Sequence, residues 1–221
     1  MQKGKRFFNV VITITAIALI CVISYALYYY ISNYLAVKEA ENAVEEFENE
    51  VLVVAIDNEE ENVQEEQNTV DNLPQTNTPQ TTNKTTSKTR YKGYSMIGTI
   101  QIPKTKVKIP IVDTVTPRSI TAAAAVLYGP GLNRTGNTVI VAHNYRNGTF
   151  FSNNKKLVVG DKIYITDSTG KKVEYTIYKT YTTSEMDFSY ATRNTDGKRE
   201  ISLSTCTTDA SKRLVIWAKE N

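Results

Sequence analysis

The stretch EISLSTCTTDASKRLVIWAK, residues 200–219, contains two short apolar runs separated by a polar turn. The runs 200–206 and 213–219 are predicted strands, and the residues between them predict a hairpin turning at Asp209-Ala210. In that register Cys206 faces Arg213, with the two Cβ atoms about 5 Å apart on one side of the sheet. The hairpin therefore brings a thiol and a guanidinium together.

Six more strands are predicted upstream from short apolar runs separated by turn residues. They lie near 96–102, 107–112, 125–128, 137–143, 162–166 and 171–182. Short helices are predicted after Pro117 and between Gly148 and Leu157. Eight strands at this spacing predict an all-β fold, an eight-stranded β-barrel with short helices.

The N-terminal region has the features of a membrane anchor. Residues 7–31 are 25 residues without a charged side chain, and roughly 20 apolar residues are enough to cross a membrane. Because Lys3, Lys5 and Arg6 precede this run, residues 1–6 are expected in the cytoplasm and the chain after residue 32 outside. A cleaved signal peptide has a shorter apolar core, of about 7–15 residues, so an uncleaved single-pass anchor is favoured.

The segment between the anchor and the strands divides into two parts by composition. Residues 32–56 predict a juxtamembrane helix, because apolar residues from Ala36 to Val54 recur at helical spacing. Residues 57–90 are first acidic and then rich in Thr, Asn, Gln and Pro, which predicts a disordered tether. The remaining residues, 91–221, are predicted to form the only folded domain.

Composition excludes several classes of protein. The chain has one histidine and two cysteines, too few for a disulfide scaffold or a Cys/His zinc cluster. It contains no Gly-rich phosphate loop. Residues 91–221 have nineteen basic and ten acidic side chains, without the aromatic-basic pattern that indicates nucleic-acid binding. No nucleic-acid partner is expected.

The candidate chemistry rests on three side chains. His143 is the only histidine, and Cys206 is the only cysteine outside the predicted membrane span; each ends a predicted strand. A cation opposite a thiol favours the nucleophilic thiolate, and the guanidinium of Arg213 can also stabilise an oxyanion. An imidazole can accept and return a proton. These roles together predict a catalytic site.

Each of these residues also has an ordinary structural interpretation. A free cysteine is often a small buried hydrophobe, an arginine is usually a solvated charge, and a histidine can simply pack at a barrel edge. The alternative to an enzyme is therefore a catalytically inert, membrane-anchored β-barrel that binds a partner.

Four segments resemble the sortase family. Ser202-Leu-Ser-Thr-Cys206, followed by Arg213 on the next strand, is similar to the Thr-Leu-x-Thr-Cys…Arg signature of sortases, with Ser202 in place of the preferred Thr. The other three segments are similar to the family's opening strand, histidine strand and Gly-Asp turn, and they are 97–103, 139–144 and 157–161. The resemblance covers 91–221 in the family's order.

The resemblance implies a cysteine transpeptidase anchored in the membrane of a Gram-positive bacterium, with its catalytic barrel outside the cell. Its partners would be the sorting signal of exported proteins, of the Leu-Pro-x-Thr-Gly type, and an amine of a cell-wall precursor. Cys206 would form a thioacyl intermediate, His143 would act as general acid and then as general base, and Arg213 would hold the substrate and stabilise the oxyanion.

The resemblance also implies a substrate groove beside these residues. In the family, the loop that precedes the cysteine strand helps to form the groove, although packing of this loop onto the barrel would explain its apolar residues equally well. The candidate substrate contacts are Asn144, Met186, Phe188, Tyr190, Ser204 and Thr205.

The resemblance also bears on the class of sortase and on metal binding. Pilin-polymerising sortases carry an N-terminal lid with an Asp-Pro-aromatic element, and residues 57–95 contain none. Wall anchoring is therefore expected, with pilin polymerisation as the alternative. Some sortases bind calcium beside the groove, but no ligand set can be assigned in this sequence, so no metal or cofactor is predicted.

Overall fold

A computed structural model of the 221-residue chain describes residues 2–67 and 89–221. The chain divides into two compact units, Met1–Glu39 and Ala40–Asn221. Helix α1, Gln2–Gln67, begins in the first unit and continues into the second.

The first unit is the apolar part of helix α1. Its large apolar side chains between Phe8 and Leu35 are exposed. The hydroxyls of Thr13 and Thr15 donate hydrogen bonds to backbone carbonyls of the preceding turn, so they need no water. The helix is long and apolar enough to cross a membrane, which agrees with the expected single anchor.

After the end of α1, the described residues 89–221 of the second unit contain nine strands and one short α-helix. The strands are β1 Arg90–Tyr91, β2 Tyr94–Ile102, β3 Val107–Val112, β4 Ala124–Tyr128, β5 Gly136–Val141, β6 Lys162–Asp167, β7 Lys172–Ser184, β8 Arg199–Cys206 and β9 Lys212–Glu220. Helix α2, Ser119–Ala122, follows Pro117 as predicted, and a 3₁₀ turn, Asn154–Lys156, lies where the second short helix was predicted.

The strands form a closed barrel. Their order is β1-β2-β3-β4-β5-β8-β9-β7-β6, and β6 also pairs with β2, which closes the eight strands β2 to β9. The pairs β3–β4 and β5–β8 are parallel, and the others are antiparallel. The predicted eight-stranded barrel is confirmed; β1 is a two-residue addition that the sequence did not predict.

The barrel interior is filled by alternate side chains of the strands. Ile100, Ile140, Ile165, Ile177 and Leu203 are almost fully buried in one core cluster. Burying an aliphatic side chain of this size contributes about 1.5–3 kcal/mol. This packed interior makes the barrel a rigid support for side chains at its strand ends.

One face of helix α1 belongs to the same core. Ala40, Val44, Phe47 and Val51, spaced four, three and four residues apart, are buried in the cluster that contains the barrel side chains. Helix α1 thus packs on the barrel through the first part of the second unit.

A polar contact accompanies this packing. Glu48 accepts a 3.1 Å hydrogen bond from the Thr99 hydroxyl on β2, and its other carboxylate oxygen lies 3.4 Å from Lys108 Nζ on β3. The two contacts place this helical segment over β2 and β3.

The helix is also longer than predicted. The juxtamembrane helix was expected to end at residue 56 and a disordered tether to begin at 57, but α1 continues to Gln67. Residues 68–88 of the predicted tether lie outside the described residues. The assignment of 91–221 as the catalytic domain stays a prediction, and the compact unit of the structure begins earlier, at Ala40.

Candidate active site

A cavity of about 300 Å³ lies beside the carboxyl ends of β5 and β8. His143, Cys206 and Arg213 all line it. Its wall is otherwise mostly apolar and includes Ile120, Leu127, Val141, Ala142, Phe188 and Tyr190. The structure thus brings the three predicted catalytic residues to one cavity.

Strand register places Cys206 opposite Arg213. The two residues are Cα partners at the ends of the antiparallel strands β8 and β9, as the sequence predicted. Arg213 Nη1 donates a hydrogen bond to Cys206 Sγ, and both residues are partly exposed. A guanidinium in this position is suited to pair with a thiolate.

The turn between these strands is fixed by its own hydrogen bonds. The backbone N–H of Thr207 donates to the carbonyl of Lys212 at 2.9 Å. The Asp209 carboxylate accepts hydrogen bonds from the hydroxyls of Thr207 and Ser211, at 2.5 and 2.7 Å. These bonds lower the pKa of Asp209 to about 2, so it remains ionised and the turn remains braced near neutral pH.

Parallel pairing brings His143 to the same end of the barrel. Val141 on β5 is the Cα partner of Ser204 on β8. His143 lies two residues after Val141, and Cys206 lies two residues after Ser204. The predicted strand 137–143 ends at Val141, so His143 lies just beyond the strand rather than within it.

The environment of His143 favours the neutral imidazole. Its ring packs against Tyr145, with 5.0 Å between ring centroids, and the Tyr145 hydroxyl donates a hydrogen bond to the carbonyl of Thr121 at 3.2 Å. Burial lowers the pKa of His143 below its usual value of 6.5. The imidazole is therefore ready to accept a proton near neutral pH.

Two side chains tie the ends of β5 and β8 together. Asn144 Nδ2 donates a 3.0 Å hydrogen bond to the carbonyl of Cys206, and Thr205 Oγ1 donates one of 2.7 Å to the carbonyl of Ala142. Asn144 and Thr205 were predicted as substrate contacts. In the structure, their polar side-chain atoms hold together the segments that carry His143 and Cys206.

The loop between β7 and β8 provides part of the cavity wall. Tyr190 is 2% exposed and pairs its hydroxyl with Ser204 Oγ at 3.2 Å, while Phe188 is 53% exposed and also lines the cavity. Met186 is 78% exposed and does not line it. Tyr190 therefore both packs on the barrel and faces the cavity. The two interpretations of the loop's apolar residues, packing and groove formation, both apply to it.

A buried polar cluster behind this loop was not predicted. Arg193 forms an ion pair with Glu200, and Asn137 donates hydrogen bonds to two loop carbonyls. The sequence offered one indication of this cluster, the acidic Glu200 at the start of an apolar strand, because a buried carboxylate needs a cationic partner.

Among the side chains that the structure describes, those of residues 8–53 and 89–221, no three His, Cys, Asp or Glu are grouped to hold a metal ion. The expectation that no cofactor is needed stays a prediction.

Comparison with known proteins identifies the family. A family model described as Sortase domain matches residues 100–221, slightly more than half of the chain, and the chain belongs to the sortase family. No curated protein matches.

Similar solved structures come from several sortase classes. Sortase A from Corynebacterium diphtheriae is 26% identical with a TM-score of 0.53, and the match covers 58% of this chain and 61% of that one. The pilus-related sortase C of Group B Streptococcus is 30% identical with a TM-score of 0.52, covering 57% and 67%. A Clostridium perfringens sortase D5 transpeptidase is 27% identical with a TM-score of 0.52, covering 57% and 79%. The chain thus spans less than two thirds of the Corynebacterium chain.

Proposed function

We propose that this protein is a membrane-anchored cysteine transpeptidase. It cleaves a C-terminal sorting signal of the Leu-Pro-x-Thr-Gly type in exported proteins and joins the new carboxyl end to an amine of a cell-wall precursor. The observation that carries the proposal is the convergence of His143, Cys206 and Arg213 on one cavity.

In the first half-reaction neutral His143 takes the proton of the Cys206 thiol, and the resulting thiolate attacks the carbonyl carbon of the signal's threonine. The new S–C bond moves an electron pair onto the carbonyl oxygen, where Arg213 can donate a hydrogen bond to the oxyanion. Collapse of this intermediate breaks the C–N bond. The imidazolium of His143 gives its proton to the departing glycine amine and leaves a thioester on Cys206.

In the second half-reaction the acceptor amine attacks the thioester. Neutral His143 takes the proton that the amine loses, the C–S bond breaks to release the Cys206 thiolate, and the imidazolium passes its proton to that thiolate. The lowered pKa of His143 supports this second step, because it keeps the imidazole neutral near pH 7.

The cavity wall suits the apolar part of such a signal. Leucine and proline side chains gain free energy when they leave water for an apolar surface, and Ile120, Leu127 and Val141 offer one beside the thiol. A cavity of about 300 Å³ accommodates a few side chains rather than a folded partner.

Topology supports an extracellular position for the barrel. Lys3, Lys5 and Arg6 precede the apolar helix, and acidic residues follow it, so the N-terminus is expected in the cytoplasm. The thiol would then be on the side of the membrane where sorting signals emerge.

A pilin-polymerising activity is the second candidate. It is favoured by the 30% identity with the pilus-related sortase C and differs only in its acceptor, a lysine of a pilin subunit. Supplying a glycine-based amine and a lysine-containing pilin peptide in competition separates the two activities.

The test uses the full chain in detergent micelles with a small library of signal peptides. Cleavage is followed by chromatography, and mass spectrometry detects a thioacyl adduct on Cys206. We expect Cys206→Ala and His143→Ala to lose cleavage while they keep the circular dichroism of the wild-type chain.

Two results would reject the enzyme. One is full cleavage by the purified Cys206→Ala chain. The other is failure of Cys206 to react with a methanethiosulfonate reagent in the folded protein, which would favour the inert barrel.

A further inference from the structure

The loop from Glu185 to Lys198, which joins β7 to β8, is held on the barrel by a buried polar cluster. Asn137 on β5 uses its whole side-chain amide there. Its Nδ2 donates to the carbonyls of Tyr190 and Ala191 at 2.9 and 3.0 Å, and its Oδ1 accepts from Arg193 at 3.0 Å and from Ser202 at 2.9 Å. This residue therefore links the loop backbone to two strands.

Arg193 is the loop's own contribution to the cluster. Its side chain is 10% exposed and pairs with Glu200, whose side chain is 9% exposed. Glu200 also accepts a 2.6 Å hydrogen bond from Tyr178, and the guanidinium lies 4.6 Å from the ring centroid of Trp217. Removing one member would leave another buried and unpaired, which makes this attachment strong.

The cluster is separate from the catalytic cavity but connects to its wall. Asn137 and Arg193 line a different cavity, of about 480 Å³, and do not line the one that contains Cys206. Asn137 donates a hydrogen bond to the carbonyl of Tyr190. The Tyr190 side chain lines the catalytic cavity and contacts Ser204 on the cysteine strand. The amide of Asn137 thus fixes the backbone of a cavity-wall residue.

We propose that Asn137 and Arg193 are positioning residues for substrate selection. They fix Tyr190 and with it the part of the cavity wall that it shares with the exposed Phe188, against which the apolar residues of the sorting signal pack, and they take no part in bond making. The substrate in this inference rests on the proposed function, whereas the attachment of the loop does not. Loosening the attachment weakens substrate binding and leaves the chemistry of Cys206 intact.

The experiment compares Asn137→Ala and Arg193→Lys with wild type, as full chains in detergent. Lys198→Ala is the matched control, because it removes a charge from an exposed side chain of the same loop. For Asn137→Ala, KM for the signal peptide rises roughly tenfold, the change expected from the loss of the two hydrogen bonds that hold the loop carbonyls of Tyr190 and Ala191. Its kcat and its rate of reaction with a methanethiosulfonate reagent stay within about twofold of wild type.

Hydrogen exchange gives a readout that needs no substrate. Peptides that cover 185–198 exchange faster in both variants, peptides that cover β8 exchange as in wild type, and Lys198→Ala matches wild type throughout. Arg193→Lys keeps a cation opposite Glu200 but cannot also reach Asn137 with a planar fork. It therefore carries the test if Asn137→Ala does not fold.

Two outcomes overturn the proposal. The first is a fall in kcat with KM unchanged, which would place the cluster in the chemistry rather than in binding. The second is unchanged exchange of the loop in both variants. If the wild-type chain cleaves no signal peptide, the proposed function fails, and hydrogen exchange alone then decides whether Asn137 and Arg193 hold the loop.

Discussion

Arg213 Nη1 donates a hydrogen bond to Cys206 Sγ across the last residue pair of β8 and β9 before their turn. The contact depends on strand register, because a shift of one residue would turn either side chain to the opposite face of the sheet. The short turn, braced by Asp209, sets that register. The turn and the strand register of this hairpin therefore determine that the thiol and the guanidinium meet.

Replacing Arg213 tests its role at the oxyanion. Arg213→Gln is expected to lower kcat/KM for a signal peptide by about 10²–10³-fold, the range for loss of an oxyanion donor. Arg213→Lys keeps the charge but not the planar fork, and a loss of at least about tenfold is expected. Steady-state peptide cleavage measures both, with the exposed Lys212→Ala as control. Near-normal turnover by Arg213→Lys would remove the proposed role.

The single histidine allows a direct measurement of its pKa. Because burial lowers the pKa of His143, an NMR titration of ¹⁵N-histidine-labelled protein should show a midpoint below 6.5. The same titration in urea should return the midpoint to about 6.5, the value of a solvated imidazole. A folded-state midpoint above the urea value would contradict the burial effect.

The same shift predicts how stability depends on pH. Between the folded and the unfolded pKa of His143, the unfolded chain binds more protons than the folded one. The free energy of unfolding should therefore fall as pH drops from 7 through 6.5 towards the folded pKa. His143→Gln should flatten this part of the curve, as measured by urea unfolding at several pH values. An equally steep curve in His143→Gln would assign the dependence to other groups.

Thr205 offers a test of the contact between the strand ends. Thr205→Val removes the donor to the carbonyl of Ala142 and is expected to lower the free energy of unfolding by about 1–2 kcal/mol, the cost of an unpaired buried group. The fluorescence of Trp217, the only tryptophan, reports urea unfolding. Thr205→Ser keeps the hydroxyl and should stay near wild type, and equal losses in the two variants would point to packing instead.

Helix α1 can be tested as part of the barrel core. Phe47 is fully buried, and Phe47→Ala should lower the free energy of unfolding by about 3–5 kcal/mol, as large-to-small core changes do. Leu52→Ala, at a side chain that is 58% exposed, should change it by less than about 0.5 kcal/mol. Unfolding of Phe47→Ala at the wild-type urea concentration would show that the barrel does not depend on this contact.

The sequence predicted the barrel and the meeting of three side chains because both follow from local patterns. Strands such as β7 alternate apolar and polar residues, and the turn at Asp209-Ala210 determines which residue faces Cys206. Parallel pairing of β5 with β8 is not local and was not predicted; the resemblance carried by the motifs around His143 and Cys206 implied only that the two residues share a site.

Other features depend on contacts that no local pattern encodes. The helical spacing of Ala40 and Phe47 predicted a helix, but its partner surface on the barrel could be found only in the structure. In the same way, the sequence around Asn137 predicts only a strand. The hydrogen bonds from its side chain to the loop between β7 and β8 are visible only in the structure. The acidic composition of 57–67 favoured disorder, whereas the structure continues the helix through it.

Strand β9 follows β8 in sequence but lies between β8 and β7 in the sheet. A chain that emerges vectorially from a ribosome or a translocon cannot complete the barrel until residue 220 is out. Arg213, which faces Cys206 in the finished hairpin, lies at the start of β9, the strand that completes the barrel. The pairing of thiol and guanidinium therefore belongs to the same step as the insertion of β9 between β8 and β7, which closes the barrel.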